Sequence, residues 1–222
     1  YTSDIETAKM MYWASTAEER RKKLMPFTWN VLAKNGRLYG NRTLGSRVNV
    51  SNFHAFSYPG YSEMFTGTDD FWVNSNSKKP NEHKNIFEFL NSQPAYIGRI
   101  AIFTSWDVFP FILNEERNGI TINSGYEETE TNTKAEVLLN TIQEKLVHQK
   151  GGTRHDMLTY IAAKEYLQVH HPKIFYLGLG ETDEAAHSGD YFQYLQKANE
   201  SDRIIAELWH WVQTTEGYKD NT

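Results

Sequence analysis

The feature that most constrains the fold is the alternation of short apolar runs with long amphipathic segments. Residues 98–104 contain one continuous apolar run and residues 174–179 contain a second, as is typical of strands that are covered on both faces. Two segments with apolar residues at helical spacing, 135–146 and 153–169, lie between these runs, and a third, 191–212, follows them. This order predicts an α/β fold with a largely parallel central sheet flanked by helices.

Three further local patterns predict a helix, a strand and a helix cap. Residues 15–35 are expected to form a helix that is interrupted at Pro26, because proline lacks a backbone N–H group. Residues 48–50 are a candidate strand. Thr153 and Asp156 occupy the positions of a capping box at the start of the second long helix.

Length and charge limit the classes of protein and partner. The 222 residues are compatible with a single domain over 1–222, and a net charge of −5 provides no basic surface for nucleic acid. No apolar run approaches the roughly 20 residues of a membrane span. The sequence leaves the oligomeric state open. It also leaves the compartment open: periplasmic or secreted if the full-length protein carries a signal peptide, and cytoplasmic otherwise.

Because the chain has no cysteine, histidine and carboxylate side chains are the strong metal ligands that remain. The loop over 180–190 contains Asp183 and His187, four residues apart, and both can bind one ion if the loop forms a helical turn. This ligand pair suits Zn²⁺ or Mn²⁺, and two ligands are too few for a closed site. In the alternative interpretation, Asp183 caps a turn and His187 faces solvent.

Ser57 is a candidate nucleophile. Pro59 fits the first turn of a helix and Gly67 fits its end, so Ser57 is expected just before a helix N-terminus, where free N–H groups favour a phosphate. The alternative is that Ser57 only caps this helix. His54 is not expected to reach Ser57 as a general base, so a metal ion would have to activate the hydroxyl.

Two segments resemble a known family. Residues 57–67 (Ser-Tyr-Pro-Gly-Tyr-Ser-Glu-Met-Phe-Thr-Gly) resemble the nucleophile segment of the nucleotide pyrophosphatase/phosphodiesterase-like (type I phosphodiesterase) branch of the alkaline phosphatase superfamily. Asp183, three spacer residues and His187 are similar to the family's Asp-x-x-x-His metal element, and residues 191–208 resemble the helix that follows it.

The resemblance implies roles for individual residues. It makes Ser57 the nucleophile, Asp183 and His187 ligands of one metal ion, and Asn76 the asparagine that contacts phosphate, with Asn74 as the competing position. It implies an alkaline phosphatase-like three-layer sandwich with two divalent metal ions, Zn²⁺ or alternatively Mn²⁺.

The implied activity is metal-dependent hydrolysis of phosphate esters, diesters or phosphonates, with a small-molecule phosphate-type substrate. Sulfatases are disfavoured, because their pattern requires an arginine at the position of Tyr61 and often a cysteine.

The resemblance is incomplete at both ends. The family's Asp-Gly element before the nucleophile and its Asp-His-Gly element after the long helix are not in this sequence. We therefore expect an internal fragment that lacks N-terminal and C-terminal strands and is inactive by itself. The alternatives are a noncatalytic ligand-binding module of the same fold and a phosphosugar or phosphoglycerate mutase.

Several other polar and aromatic residues have simpler structural interpretations. Asp107, after the first apolar run, is expected to support a loop. Asp202 lies on the apolar face of the last helix, where it is expected to accept hydrogen bonds from a buried donor and to support the loop over 180–190. His148 and His155 are expected in a solvated turn. An aromatic cluster could stack on a base or an aryl leaving group, or belong to the core; its members are Phe53, Phe56, Tyr58 and Tyr61.

Overall fold

The computed structural model describes residues 2–147 and 150–222, so that the expectation for His148 lies outside the described residues. The chain divides into two compact units: one comprises the residues up to Val48 together with Glu181–Thr222, and the other is Asn49–Gly180. The single domain over 1–222 stays a prediction.

Helices predominate among the described residues, and pairs of helices separate the three strands. In chain order the α-helices are α1 (Thr2–Tyr12), α2 (Ala17–Leu24), α3 (Ala33–Asn35), α4 (Ser57–Thr66), α5 (Ile86–Asn91), α6 (Phe109–Ile112), α7 (Glu115–Asn118), α8 (Lys134–Leu146), α9 (Asp156–His170), α10 (Glu181–His187) and α11 (Tyr191–Thr214). A π-helix covers Thr28–Leu32 and a 3₁₀ helix covers Arg42–Leu44. The strands are β1 (Ile100–Thr104), β2 (Thr121–Ser124) and β3 (Ile174–Gly178).

The unit Asn49–Gly180 contains a small, open, three-stranded parallel sheet in the order β2-β1-β3. All five residues of β1 are buried, which explains its continuous apolar run. Ile100 and Ile102 belong to a core cluster to which α4, α5 and α6 contribute, whereas Ala101 and Phe103 belong to a second cluster with α8 and α9. Because successive strand residues point to opposite faces, helices cover both faces of this sheet. The predicted α/β class and parallel sheet are confirmed.

The strand predicted over residues 48–50 is wrong, because these residues form no strand. One strand was not predicted: β2, which carries the polar residues Asn123 and Ser124. The interruption predicted at Pro26 in the helix over 15–35 is confirmed, since α2 ends at Leu24 and the π-helix and α3 follow, the latter ending at Asn35.

The capping box predicted for α9 is also wrong. The helix begins at Asp156, after His155, which makes no side-chain cap. The buried Asp156 carboxylate instead accepts hydrogen bonds from the Ser105 hydroxyl (2.6 Å) and the Gly180 N–H group (2.7 Å). It therefore joins the loops that follow β1 and β3.

In the other unit, α11 carries the buried Asp202. Its carboxylate accepts hydrogen bonds from the backbone N–H groups of Phe27 (2.7 Å) and Thr28 (2.8 Å). The predicted acceptor role of Asp202 is confirmed. Both partners lie at the start of the π-helix. These bonds therefore do not provide the predicted support of the loop over 180–190.

None of the helices in the described ranges has both the length and the apolar character needed to span a membrane.

Candidate functional site

Ser57 is the first residue of α4. The residue before it, Phe56, is extended and makes no side-chain cap, so the helix starts one residue earlier than expected and the alternative that Ser57 caps it is wrong. The Ser57 hydroxyl makes no hydrogen bond within the described residues. Pro59 fits the first turn, where its missing N–H group needs no partner, and Gly67, with φ of 74°, ends the helix as expected.

Asn76 lies next to the start of α4. Its Oδ1 atom accepts a hydrogen bond of 2.9 Å from the backbone N–H group of Tyr58, the residue after Ser57. In the part of the chain that the structure describes, the Nδ2 group of Asn76 has no partner and remains available as a donor. Asn74 makes no corresponding contact and instead lines a neighbouring cavity. Of the two competing asparagines, Asn76 is therefore the one beside Ser57.

The His54 ring contacts the backbone of Phe71 and not Ser57. One of its ring nitrogens, Nε2, lies 3.1 Å from the carbonyl oxygen of Phe71. This contact agrees with the expectation that Ser57 has no histidine base close by in the sequence.

Residues 181–187 were expected in a loop and instead form the helix α10, so that Asp183 and His187 lie one helical turn apart, the condition under which both can bind one ion. The distance from His187 Nε2 to Asp183 Oδ2 is 3.4 Å, and the two side chains are 76% and 65% exposed respectively. Two ligand atoms bound tetrahedrally to Zn²⁺ at about 2.0–2.1 Å are separated by about 3.4 Å, so the pair fits two positions of such a site. An ordinary ion pair fits the same distance.

Contacts with α11 hold α10 in place. Ala185, on the opposite side of α10 from the pair, is buried, and Glu181 forms an ion pair of 2.9 Å with Lys197 of α11. No group of three or more histidine, cysteine, aspartate or glutamate residues that could hold a metal ion occurs among residues 2–147 and 150–222. The metal-binding role of Asp183 and His187 therefore stays a prediction.

Hydrogen bonds connect the polar side chains at the carboxyl edge of the sheet. Asp107 accepts hydrogen bonds from Lys78 Nζ (2.7 Å) and from the Gly152 N–H group (2.9 Å), in agreement with its predicted loop-supporting role. The fully buried Arg154 donates to Asn123 Oδ1 and Thr159 Oγ1, both at 2.9 Å. Burial lowers the pKa of Arg154 to about 10. Sequence reasoning missed Arg154, because its short polar segment has no periodic pattern.

The predicted aromatic cluster is divided between core and surface. Tyr58 is buried, its hydroxyl donates to the Lys79 carbonyl oxygen at 2.7 Å, and burial raises its pKa to about 12. Tyr61 stacks against Phe65 in the core. Phe53 is exposed and lies against Phe71, which sequence reasoning missed.

The overlooked rings are Phe71 and Trp72. The sequence signal that could have identified them is a pair of large aromatic residues in an otherwise polar stretch between α4 and α5.

Comparisons with protein-family models, with curated proteins and with solved structures found no match to this chain.

Proposed function

We propose that the chain is part of a metal-dependent hydrolase of phosphate esters, diesters or phosphonates, with the three-layer sandwich of the alkaline phosphatase superfamily. Ser57 is the nucleophile, Asn76 contacts the substrate phosphate, and Asp183 and His187 bind a metal ion. The substrate is a small molecule.

The observation that carries this proposal is the arrangement of Ser57 and Asn76 at the start of α4. An unbonded hydroxyl lies at the positive end of a helix dipole, and the amide of Asn76 is held beside it through the Tyr58 N–H group. Both features favour an anionic group with several oxygen atoms. A serine that had only a capping role would accept a hydrogen bond from the first turn, which Ser57 does not.

The chemistry follows from these residues. Ser57 Oγ attacks the phosphorus atom as its proton passes to solvent. The bond from phosphorus to the leaving oxygen breaks, that oxygen keeps the electron pair and takes up a proton from solvent, and a phosphoseryl group results. Water then attacks the same phosphorus atom and releases phosphate, which regenerates the serine. The Nδ2 donor of Asn76 stabilises negative charge on a non-bridging oxygen during both steps.

The proposed metal requirement rests on the donor set and on His54, which contacts the Phe71 carbonyl oxygen and not Ser57. An imidazole and a carboxylate separated by 3.4 Å suit Zn²⁺ or Mn²⁺, and two such ions are proposed for the complete protein. A bound divalent ion supplies a lowered pKa for a hydroxyl and a positive charge for the leaving oxygen. A closed site needs more ligands than this pair.

The test is to express the full-length product of the gene with Zn²⁺ or Mn²⁺ and to assay an aryl phosphate, a diester, a phosphonate and a sulfate ester side by side. We expect turnover of one or more of the phosphorus substrates and a slower reaction with the sulfate ester. A protein that contains metal but hydrolyses none of them would contradict the hydrolase proposal.

The same assays distinguish the two alternatives. A noncatalytic binding module would bind phosphate compounds without turnover. A phosphosugar or phosphoglycerate mutase would move phosphate between positions of its substrate and release little inorganic phosphate.

A further inference from the structure

The unit that contains α11 holds a cavity of about 550 Å³, formed by α1, α2 and the start of α11. This volume is in the range of small-molecule sites. Six apolar or aromatic side chains line the cavity: Ile5, Tyr12, Trp13, Leu24, Tyr191 and Leu195. Of these, Ile5, Trp13 and Tyr191 are 54%, 60% and 70% exposed. A ligand with an apolar part would remove their surface from water, which is favourable.

The charged side chains that line this cavity are all positive. Among the described residues they are Lys9, Arg20 and Arg21. Lys9 forms an ion pair of 2.9 Å with Glu6, whereas Arg20 and Arg21 form no ion pair with any residue in the ranges 2–147 and 150–222. The two arginines therefore favour a ligand that carries negative charge.

The acidic residues of α2 are engaged elsewhere. Glu18 binds Lys22 Nζ at 2.6 Å, and Glu19 accepts hydrogen bonds from the N–H group (3.1 Å) and the hydroxyl (2.9 Å) of Thr16. Neither glutamate lines the cavity. The positive charge of Arg20 and Arg21 is therefore not cancelled at the cavity by their own helix.

Contacts with aromatic rings and the backbone orient the two guanidinium groups. Arg20 lies over the Trp13 ring at 4.6 Å and donates from Nη1 to the Ala14 carbonyl oxygen at 2.9 Å, and Arg21 lies over the Trp29 ring at 4.7 Å. In the described part of the chain, Nε and Nη2 of Arg20 donate to no other group. These two donors form the planar fork that binds a carboxylate through two parallel hydrogen bonds. Because the fork is already oriented, less entropy is lost on binding.

We propose that this cavity binds a small amphipathic carboxylate of the medium-chain fatty acid type. The alkyl chain packs against the apolar lining, and the carboxylate binds at Arg20 and Arg21. The proposal is independent of the function proposed for Ser57, because the lining residues and Ser57 belong to different units. A membrane surface is the competing ligand, and it is disfavoured because the apolar side chains line a cavity rather than one face of a single helix.

The test compares three ligands that differ in one part each. The 222-residue chain is titrated by calorimetry with octanoate, with butyrate and with 1-octanol, all below the concentrations at which they form micelles or separate. Octanoate should bind more than about tenfold more tightly than butyrate, since each buried methylene group contributes about twofold to fourfold. It should also bind about tenfold more tightly than 1-octanol, which has no charge for the arginines.

Two pairs of variants locate the binding. Arg20→Gln should weaken octanoate binding about fivefold to tenfold, whereas Lys22→Gln, which removes the same charge from α2 outside the cavity, should change it less than about twofold. Ile5→Ala should weaken it about threefold. Met10→Ala is its control, because Met10 is 74% exposed on α1 and does not line the cavity. The exposed position of Ile5 keeps the test decisive if Arg20→Gln perturbs α2.

Weaker octanoate binding in Arg20→Gln and Ile5→Ala, with both controls unchanged, would support the proposal. Equal affinity for octanoate and butyrate, or for octanoate and 1-octanol, would overturn it, because the cavity would then not recognise both parts of the ligand. Two further results would overturn it if octanoate does not bind. Binding to vesicles of phosphatidylglycerol and phosphatidylcholine that Arg20→Gln abolishes would assign the cavity to a membrane surface, and a dimer that Ile5→Ala dissociates would assign it to a second copy of the chain.

Discussion

The Oδ1 atom of Asn76 accepts a 2.9 Å hydrogen bond from the backbone N–H group of Tyr58, so that an amide side chain is fixed beside the hydroxyl-bearing start of α4. This bond uses the acceptor of Asn76 and leaves its two Nδ2 protons for a ligand. Attachment of Asn76 to the helix therefore uses a different atom from the one proposed to donate to a substrate oxygen.

For the proposed hydrolase activity of the full-length protein, we predict that Asn76→Ala lowers kcat by about 10²–10³-fold, the usual cost of losing one donor to a developing anion. Asn76→Asp keeps an acceptor for the Tyr58 N–H group but has no donor, and should be at least as impaired. Asn74→Ala, two residues away, should remain near wild type in the same steady-state assay. Equal effects at positions 74 and 76 would argue against a specific role for Asn76.

Alanine substitutions of two serines in α4 should have different effects: Ser57→Ala should affect turnover and Ser62→Ala should affect stability. Ser57→Ala is expected to abolish turnover and to change the free energy of unfolding by less than about 0.5 kcal/mol, because its hydroxyl bonds to no described residue. Ser62→Ala should cost about 1–3 kcal/mol, because the buried Ser62 hydroxyl lies 2.8 Å from Asn81 Nδ2, which would lose its acceptor. Urea denaturation and an activity assay distinguish the two. Retained turnover in Ser57→Ala would exclude the nucleophile role.

His187→Ala should reduce the zinc content of the full-length protein. Removal of a direct ligand is expected to weaken binding by more than the about 10–100-fold associated with outer partners of a metal site. His170→Ala is the control, because His170 already pairs with Glu130 at 3.0 Å and stacks on Tyr166 at 4.1 Å. Metal analysis after dialysis provides the measurement, and wild-type zinc content in His187→Ala would mean that His187 is not a ligand.

Asp202→Ala should destabilise the unit that contains α11 by about 2–4 kcal/mol, because the N–H groups of Phe27 and Thr28 would lose a charged acceptor. Asp202→Asn keeps one acceptor oxygen and should cost less. Glu207→Ala, at an exposed position of the same helix, should change stability by less than about 0.5 kcal/mol. Chemical denaturation followed by circular dichroism would test this order, and equal stability of all three variants would refute it.

Glu63 should titrate well below an ordinary glutamate. Hydrogen bonds from the backbone N–H groups of Asn52 and Ser51 lower its pKa to about 2, whereas the unfolded value is about 4.3. Because the folded pKa is the lower one, the stabilisation by Glu63 is present above about pH 4.3 and is lost as the pH falls towards 2. An NMR titration should give the low value, and Glu63→Gln should remove this part of the acid sensitivity. A measured pKa near 4.3 would contradict the bonding described here.

The sequence by itself determined the features that depend on local periodicity. The continuous apolar run over 98–104 indicated a strand buried on both faces, and β1 is the central strand of the parallel sheet. The four-residue spacing of Asp183 and His187 brings both to one side of any helical turn, because that relationship requires only helix geometry. That residues 181–187 form a helix and not the expected loop was seen only in the structure.

Only the tertiary structure decided which distant residues meet. The contacts of Asn76 with Tyr58, and of Asp156 with Gly180, join segments that are 18 and 24 residues apart, and no local pattern specifies them. The division of the aromatic residues has the same origin, since Tyr58 enters the core while Phe53 remains on the surface. Periodicity reports the environment of one element at a time, whereas these contacts depend on how several elements pack together. Of the two asparagines, it is Asn76 that this packing brings to the Tyr58 N–H group.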